Sequence, residues 1–224
     1  MCTVTYIPTP QGCIITSNRD EKIARERASV PKKYLINGSN IIFPKDSKAG
    51  GTWIAHTEDK IIVLLNGAQE QHISKPNYRK SRGLIVLDLI AAKNTLAYWE
   101  HIDLTTIEPF TIVLCETNRL MQLQWNELTK NTTEFDAKQS HIWSSSTLYS
   151  KEIRTQRQEW FRDFIKSKNY PTPKETLDFH EFTASDNKEF GLQINRNNLL
   201  KTVSITQCVV NQGEIKMEYI DLFE

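Results

Sequence analysis

Residues 1–21 read MCTVTYIPTPQGCIITSNRDE, and this stretch decides how the rest of the chain is read. Thr3 to Ile7 is rich in β-branched and aromatic residues, which fit a pleated, half-buried surface. Pro8 to Gly12 supplies turn chemistry, and a second extended run follows from Cys13 to Ser17. A hairpin is therefore expected, with its return strand bringing Asn18-Arg19-Asp20-Glu21 back beside the chain start. Cys2 stands at that start. Once the initiator Met is removed, a cysteine there carries a thiol and a free α-amine, which is a nucleophile with its own base. An α-amine of pKa about 7.7–8.0 can take the thiol proton near neutrality without a histidine. An arginine near the thiol favours thiolate and an aspartate near the amine orients it, roles that suit Arg19 and Asp20. Taken singly, a cysteine at position 2 is an accident of composition, and a charged cluster at a strand end is a solvated loop of little energetic weight.

Working outward, Thr52 to Thr57 and Ile61 to Asn66 read as a strand pair joined by Glu58-Asp59-Lys60. The run Ile61-Ile62-Val63-Leu64-Leu65 is apolar enough for a central strand. Phe110 to Glu116 with Leu120 to Asn126, and Val203 to Val210 with Glu214 to Ile220 around Asn211-Gln212-Gly213, predict two more hairpins. Between them, Leu84, Leu87, Ile90 and Ala91 mark one face of a helix over Ser81 to Lys93. Asn94 is placed to cap a short helix, Thr95 to Ile102. Ile153, Trp160, Phe161, Phe164 and Ile165 define the apolar stripe of a helix over Lys151 to Ser167, with Arg and Lys elsewhere on it. A further helix, primed by Pro173, covers Glu175 to Phe182. Hairpins at both ends with helices between them exclude a doubly wound parallel sheet and give an α+β class. Two antiparallel sheets face to face with helices outside, a four-layer αββα sandwich, is one arrangement that buries these elements. No repeat or Gly/Ser-rich linker divides residues 1–224, so one domain is expected.

Composition narrows the function. With 28 Lys and Arg against 27 Asp and Glu, the chain has no net field to recruit nucleic acid. Hydrophobic residues at 39% suit a folded globular protein. Cysteines 2, 13, 115 and 208 form no Cys-x-x-Cys pair. His56, His72, His101, His141 and His180 show no pairing at metal-ligand spacing. Neither metal, cofactor nor disulfide is expected. No apolar run approaches the roughly 20 residues that cross a bilayer, and MCTVTYIPTPQG lacks the regions of a signal peptide, so the expected location is the cytoplasm. Cys13 opens a strand without a cationic neighbour and reads as an inert core thiol. Trp53, Trp99, Trp125, Trp143 and Trp160 read as core, one of them available to line a pocket, and Lys75 to Arg82 reads as a solvated loop.

Four motifs taken together, Met1-Cys2, Ser17-Asn18-Arg19-Asp20-Glu21, Ala49-Gly50-Gly51-Thr52-Trp53 and Ser81-Arg82-Gly83, resemble the NRDE family. It is named for its Asn-Arg-Asp-Glu motif and includes the transport and Golgi organisation proteins. That family is similar in turn to N-terminal-nucleophile cysteine hydrolases such as penicillin V acylase and bile salt hydrolase. The resemblance implies the αββα sandwich, cleavage of a linear, non-peptide amide, and a small-molecule acyl or amide ligand. It implies Cys2 as nucleophile, Arg19 as the cation tuning the thiol, Asp20 as partner of the α-amine and Asn66 as oxyanion donor. Asn18, Gly67 and Ser145 follow as possible substrate or oxyanion support. A pocket above Cys2, partly aromatic and faced by Asn66, is also implied. Two positions depart from the hydrolases: Ser145 stands where they use a second asparagine, and Val203 where they use a late arginine. The same resemblance leaves room for a non-catalytic protein that handles lipid, acyl or haem ligands and is linked to secretory organisation.

Overall fold

A computed structural model describes residues 3–117, 119–168 and 170–223. The chain begins with strands β1 (Thr3–Thr9), β2 (Gly12–Lys22), β3 (Ser29–Ile36), β4 (Ser39–Lys45), β5 (Ile54–His56) and β6 (Lys60–Asn66). Helices α1 (Arg82–Ala91) and α2 (Thr95–His101) follow, then β7 (Phe110–Glu116), β8 (Arg119–Trp125), β9 (Lys130–Phe135) and β10 (His141–Ser144). The last elements are α3 (Lys151–Ser167), α4 (Pro173–Phe182), β11 (Asn195–Arg196), β12 (Leu200–Asn211) and β13 (Glu214–Asp221). Both sheets are antiparallel, so the class is α+β, as the order of hairpins and helices implies. The chain forms two compact units, Met1–Arg25 with Ala137–Glu224, and Glu26–Asp136.

The first unit holds the order β10-β1-β2-β12, with β11 and β13 both pairing along the far side of β12. Side chains alternate across a strand. Thr3, Thr5 and Ile7 therefore share a face with their register neighbours Asn18, Thr16 and Ile14. Helices α3 and α4 cover that face. At one end Ile7, Ile14, Phe161, Phe179 and Leu192 form a buried cluster with Ile142, Trp160, Phe164 and Ile165 against it. Phe164 and Phe179 stack with centroids 4.7 Å apart. Each fully buried side chain of this size contributes about 1.5–3 kcal/mol, so the cluster is what attaches the helices to the sheet. Ser150 caps α3 by accepting from the Ile153 N–H. Thr172 and Glu175 form a capping box on α4, and Pro173, which has no N–H to satisfy, takes its first turn. This starts α4 two residues earlier than the expected Glu175.

The second unit is a meander, β3 to β9 in chain order. Its centre is β6 and β7, and Ile85, Val86, Leu89 and Ile90 of α1 are buried with Ile61 to Leu65. Asn94 caps α2 as expected, its side chain accepting from the Ala97 N–H at 2.9 Å. Buried Lys60 donates to the Ala92 carbonyl at 2.5 Å and the Thr95 hydroxyl at 3.0 Å, joining the end of α1 to the start of α2.

The Gly-Gly-Thr-Trp and Ser-Arg-Gly motifs meet here. A Cβ on Gly51 would lie 2.3 Å from the Gly83 carbonyl carbon, and one on Gly83 would lie 2.9 Å from the Thr52 carbonyl oxygen. The Thr52 N–H donates to the Gly83 carbonyl at 3.1 Å, and its hydroxyl to the Pro44 carbonyl at 2.7 Å. Backbone thus packs on backbone, which only two glycines allow, and the contact shortens the expected strand Thr52 to Thr57 to β5. Strands β3, β4, β9, β10 and β11 were not expected. The outermost strand β3 carries Pro31, Lys32 and Lys33 with a register shift between Ser29 and Lys32, devices that keep an edge from pairing further.

Candidate active site

The first unit gathers its polar side chains at the end of the sheet where the described chain begins. Thr3, the first described residue, pairs with Asn18 on one side and Ser144 on the other. Across β2, Asn18 pairs with Ile205, Arg19 with Ser204 and Asp20 with Thr202, leaving Val203 as a bulge. Cys2 lies outside the described residues, and with it the expected contacts of Arg19 and Asp20 and the expected pocket.

Asp20 is 3% exposed and is held at both carboxyl oxygens. Tyr149 donates to Oδ2 at 2.7 Å and Thr202 to Oδ1 at 2.5 Å, while the Thr202 oxygen accepts from the Ile194 N–H at 2.9 Å. Two hydroxyl donors, one per oxygen, offset the cost of taking the acid out of water. The guanidinium of Arg157 lies 3.5 Å from the centre of the same Tyr149 ring. Arg157 is fully buried and donates to the Thr3 hydroxyl at 2.5 Å, the Gly191 carbonyl at 2.5 Å and the Phe190 carbonyl at 3.1 Å. Among the described residues none of its hydrogen-bond partners is a carboxylate.

Beside it lies a second closed network. Asn18 Nδ2 donates to the carbonyls of Leu192 (2.7 Å) and His180 (3.2 Å), which leaves Oδ1 facing His180 Nδ1 at 2.6 Å. Nδ1 therefore carries the imidazole proton, and Nε2 accepts from the Thr5 hydroxyl at 2.7 Å. Burial, reinforced by the Arg157 charge, pushes the His180 pKa down to about 3, so the ring is neutral. Asn18, expected as substrate or oxyanion support, has its amide fully committed to this lock.

Arg19 follows Asn18 and so projects from the opposite face of β2. It is 4% exposed, and its Nη2 lies 3.6 Å from Glu21, which also pairs with Arg25 at 3.5 Å. Ser17, Ser204 and Thr206 share that face by register, and their buried hydroxyls have no hydrogen-bond partner among the described residues. Such hydroxyls can serve a water or a ligand.

Asn66 ends β6 in the other unit and is half-buried. Gly67 next to it has φ +81°; its N–H donates to the Pro109 carbonyl at 3.0 Å and its carbonyl accepts from Thr111 at 2.9 Å. The Gly67 N–H is thus in use and is not free to support an oxyanion. Ser145 is buried, with its hydroxyl 2.8 Å from that of Thr147. Val203 is buried in the bulge. Cys13 and Cys208 are buried and in no disulfide. Among the described residues no group of three or more His, Cys, Asp or Glu could hold a metal, and no helix is long and apolar enough to cross a membrane.

Sequence reasoning missed Arg157, Tyr149 and Thr202, while His180, which has no metal-spaced partner, is a locally satisfied imidazole. Only Arg157 had a signal in the sequence, since it stands four residues from both Ile153 and Phe161, inside the apolar stripe of α3.

The fold is that of the N-terminal-nucleophile hydrolases. Penicillin V acylase from Agrobacterium tumefaciens is similar with a TM-score of 0.56, over 100% of this chain and 87% of that one, at 9% sequence identity. A variant of conjugated bile acid hydrolase from Clostridium perfringens gives a TM-score of 0.50 over 99% and 92% of the two chains, also at 9% identity. The chain belongs to the Transport and Golgi organisation 2 family, whose model matches residues 1–213. No curated protein sequence matches it.

Proposed function

We propose that the chain, taken as one domain over residues 1–224, is an N-terminal cysteine hydrolase or acyltransferase acting on a linear amide or related acyl bond. The observation that carries this reading is the buried Asp20 carboxyl. It is fixed at both oxygens on the strand that pairs with the chain start, where a free α-amine would need an orienting acid. The Cys2 thiolate, favoured by Arg19, attacks the amide carbonyl and forms the C–S bond. The oxyanion is met by the Asn66 side chain, a role that rests on the family resemblance. As the C–N bond breaks, the α-ammonium returns its proton to the leaving nitrogen. Water then cleaves the thioester, releasing a carboxylic acid and the free thiol; an acceptor amine in place of water gives acyl transfer. The hydroxyls of Ser17, Ser204 and Thr206 beside Arg19 support a ligand bearing polar oxygens. A cytoplasmic location belongs to this reading.

A second reading, a binding protein for lipid, acyl or haem ligands without turnover, is favoured by one observation. At the two positions that depart from the hydrolases, Ser145 is tied to Thr147 and Val203 is buried, so neither presents the expected polar group. Incubation of Met1-free protein with a panel of N-acyl amides separates the two. Release of amine dependent on Cys2 supports catalysis, whereas retention of intact ligand in native mass spectra without release supports binding alone.

A further inference from the structure

Between helices α3 and α4 lies a groove of about 440 Å³, open to solvent, with Trp160 and Phe164 of α3 and Phe179 of α4 in its lining. Phe164 and Phe179 stack on each other, and Trp160 and Phe164 are only partly buried where they pack against the cluster that attaches the helices to the sheet. Their remaining surface is aromatic floor. Phe182, one turn beyond Asp178 on α4, is 57% exposed beside it. An apolar surface of this kind, rimmed by polar groups, is characteristic of a binding site.

The rim is acidic. Asp163, Glu175 and Asp178 line the groove with a single cation, Lys168. Glu175 is committed, since it accepts from Lys168 Nζ at 2.7 Å and from the Thr172 N–H at 2.9 Å, and these donors hold its carboxyl down to about 2. Asp178 meets Lys174, four residues back on its own helix, at 2.6 Å; the ammonium is well exposed, and such a pair contributes little. Asp163 has neither a hydrogen bond nor an ion pair among the described residues. Arg162 and Lys166 fall on the other side of α3 by its periodicity. The groove therefore carries negative charge that its own residues do not neutralise.

We propose that this groove binds a small organic cation, an alkyl- or arylammonium whose apolar body lies on Trp160, Phe164 and Phe179 and whose charged head meets Asp163 and Asp178. The face of an aromatic ring attracts a cation, most strongly for tryptophan, and a quaternary ammonium brings no N–H that must be satisfied. The same rim repels a carboxylate, so a free acyl acid does not suit this groove. The site is also apart from Asp20. The cluster under the groove contains Ile7 and Ile14, which stand four residues along β1 and β2 from Thr3 and Asn18, roughly 13 Å away. Binding here can be read without reference to the proposed cysteine chemistry.

The test is a titration of the full chain at low ionic strength with hexyltrimethylammonium, hexanol and hexanoate, which share one alkyl chain and differ in head group. The indole N–H signals of the five tryptophans are followed by NMR, and that of Trp160 is identified by its loss in Trp160→Phe. Hexyltrimethylammonium should move the Trp160 signal saturably at or below about 10 mM, with hexanol at least about threefold weaker and hexanoate weaker still. Asp163→Asn and Asp178→Asn should each weaken the cation about two- to fivefold and leave hexanol unchanged. Asp163→Lys should bring hexanoate above the cation. The proposal is overturned if the Trp160 signal does not respond, if hexanol binds as tightly as the cation, or if both asparagine variants keep the wild-type affinity. A Trp160 signal that moves on dilution with no probe present would show a second copy of the chain seated in the groove, and would overturn it as well.

Discussion

Tyr149 donates to Oδ2 of Asp20 at 2.7 Å, joining residues 129 apart in the sequence at the end of the sheet where the chain begins. With Thr202 on the other oxygen, the carboxyl is fixed before any ligand arrives, and such preorganisation is what a base-orienting group requires. Removing either donor leaves a buried oxygen unsatisfied. Tyr149→Phe and Thr202→Val should each destabilise the protein by about 1–3 kcal/mol in urea denaturation. Losses below about 0.5 kcal/mol would show that the carboxyl is not dependent on these donors.

The His180 lock predicts a pH dependence of stability. Its folded pKa of about 3 lies below the ordinary value of 6.5, so between these values the unfolded chain binds a proton that the folded chain does not. Stability must therefore fall as pH drops through that window, by roughly 2 kcal/mol between pH 7 and 5. Burial lowers the pKa of His56 as well, in the same sense, so the reading is the difference between wild type and His180→Gln. The variant should be less stable at pH 7 but flatter with pH, and equal slopes would refute the neutral, buried assignment.

The backbone contact between Gly51 and Gly83 is also testable. Gly51→Ala should cost about 2–3 kcal/mol, because its Cβ would meet a carbonyl carbon that cannot move aside as a side chain would. Gly38→Ala is the control: φ is +80° but nothing lies within 4 Å, so only the local conformational cost of about 1 kcal/mol applies. Equal losses would mean that the close approach carries no energy of its own.

What could be read from the sequence follows from where each signal resides. Helix α3 runs Lys151–Ser167 as expected, because an apolar stripe is a local feature. The strands of the first hairpin, β6, β7 and β12 were legible because β-branched runs mark buried strands. The edge strands β3, β9, β10 and β11 were not, whereas β13 was read from its turn. Lys130-Asn131-Thr132-Thr133-Glu134-Phe135 of β9 faces water and looks like a loop until a neighbour supplies hydrogen bonds. In the site, Arg19 and Asp20 could be singled out, but alternation on a strand sends them to opposite faces. The partners that hold Asp20 and Asn18 come from α4, the segment after it, β12 and the segment before α3, more than a hundred residues away. No spacing rule reaches that far. Arg157 is the instructive exception, since a charged residue within an apolar stripe asks for a buried partner.

Thiol reactivity separates the cysteines. Cys13 and Cys208 are buried and should react with iodoacetamide only after unfolding, while Cys2 should react in the native protein. Peptide mapping after brief labelling checks this, and native labelling of Cys13 in preference to Cys2 would remove Cys2 from consideration as the reactive thiol.

The most direct measurement of the central claim is the mass of the N-terminal peptide of Met1-free protein after exposure to activated acyl-amide and acyl-thioester probes. A covalent acyl adduct on Cys2 is predicted, absent in Cys2→Ala, and formed about a hundredfold more slowly or worse in Asn66→Ala although iodoacetamide labelling of that variant is unchanged. A Met1-free protein that forms no adduct with any probe, while its Cys2 remains open to iodoacetamide, would contradict the enzymatic account.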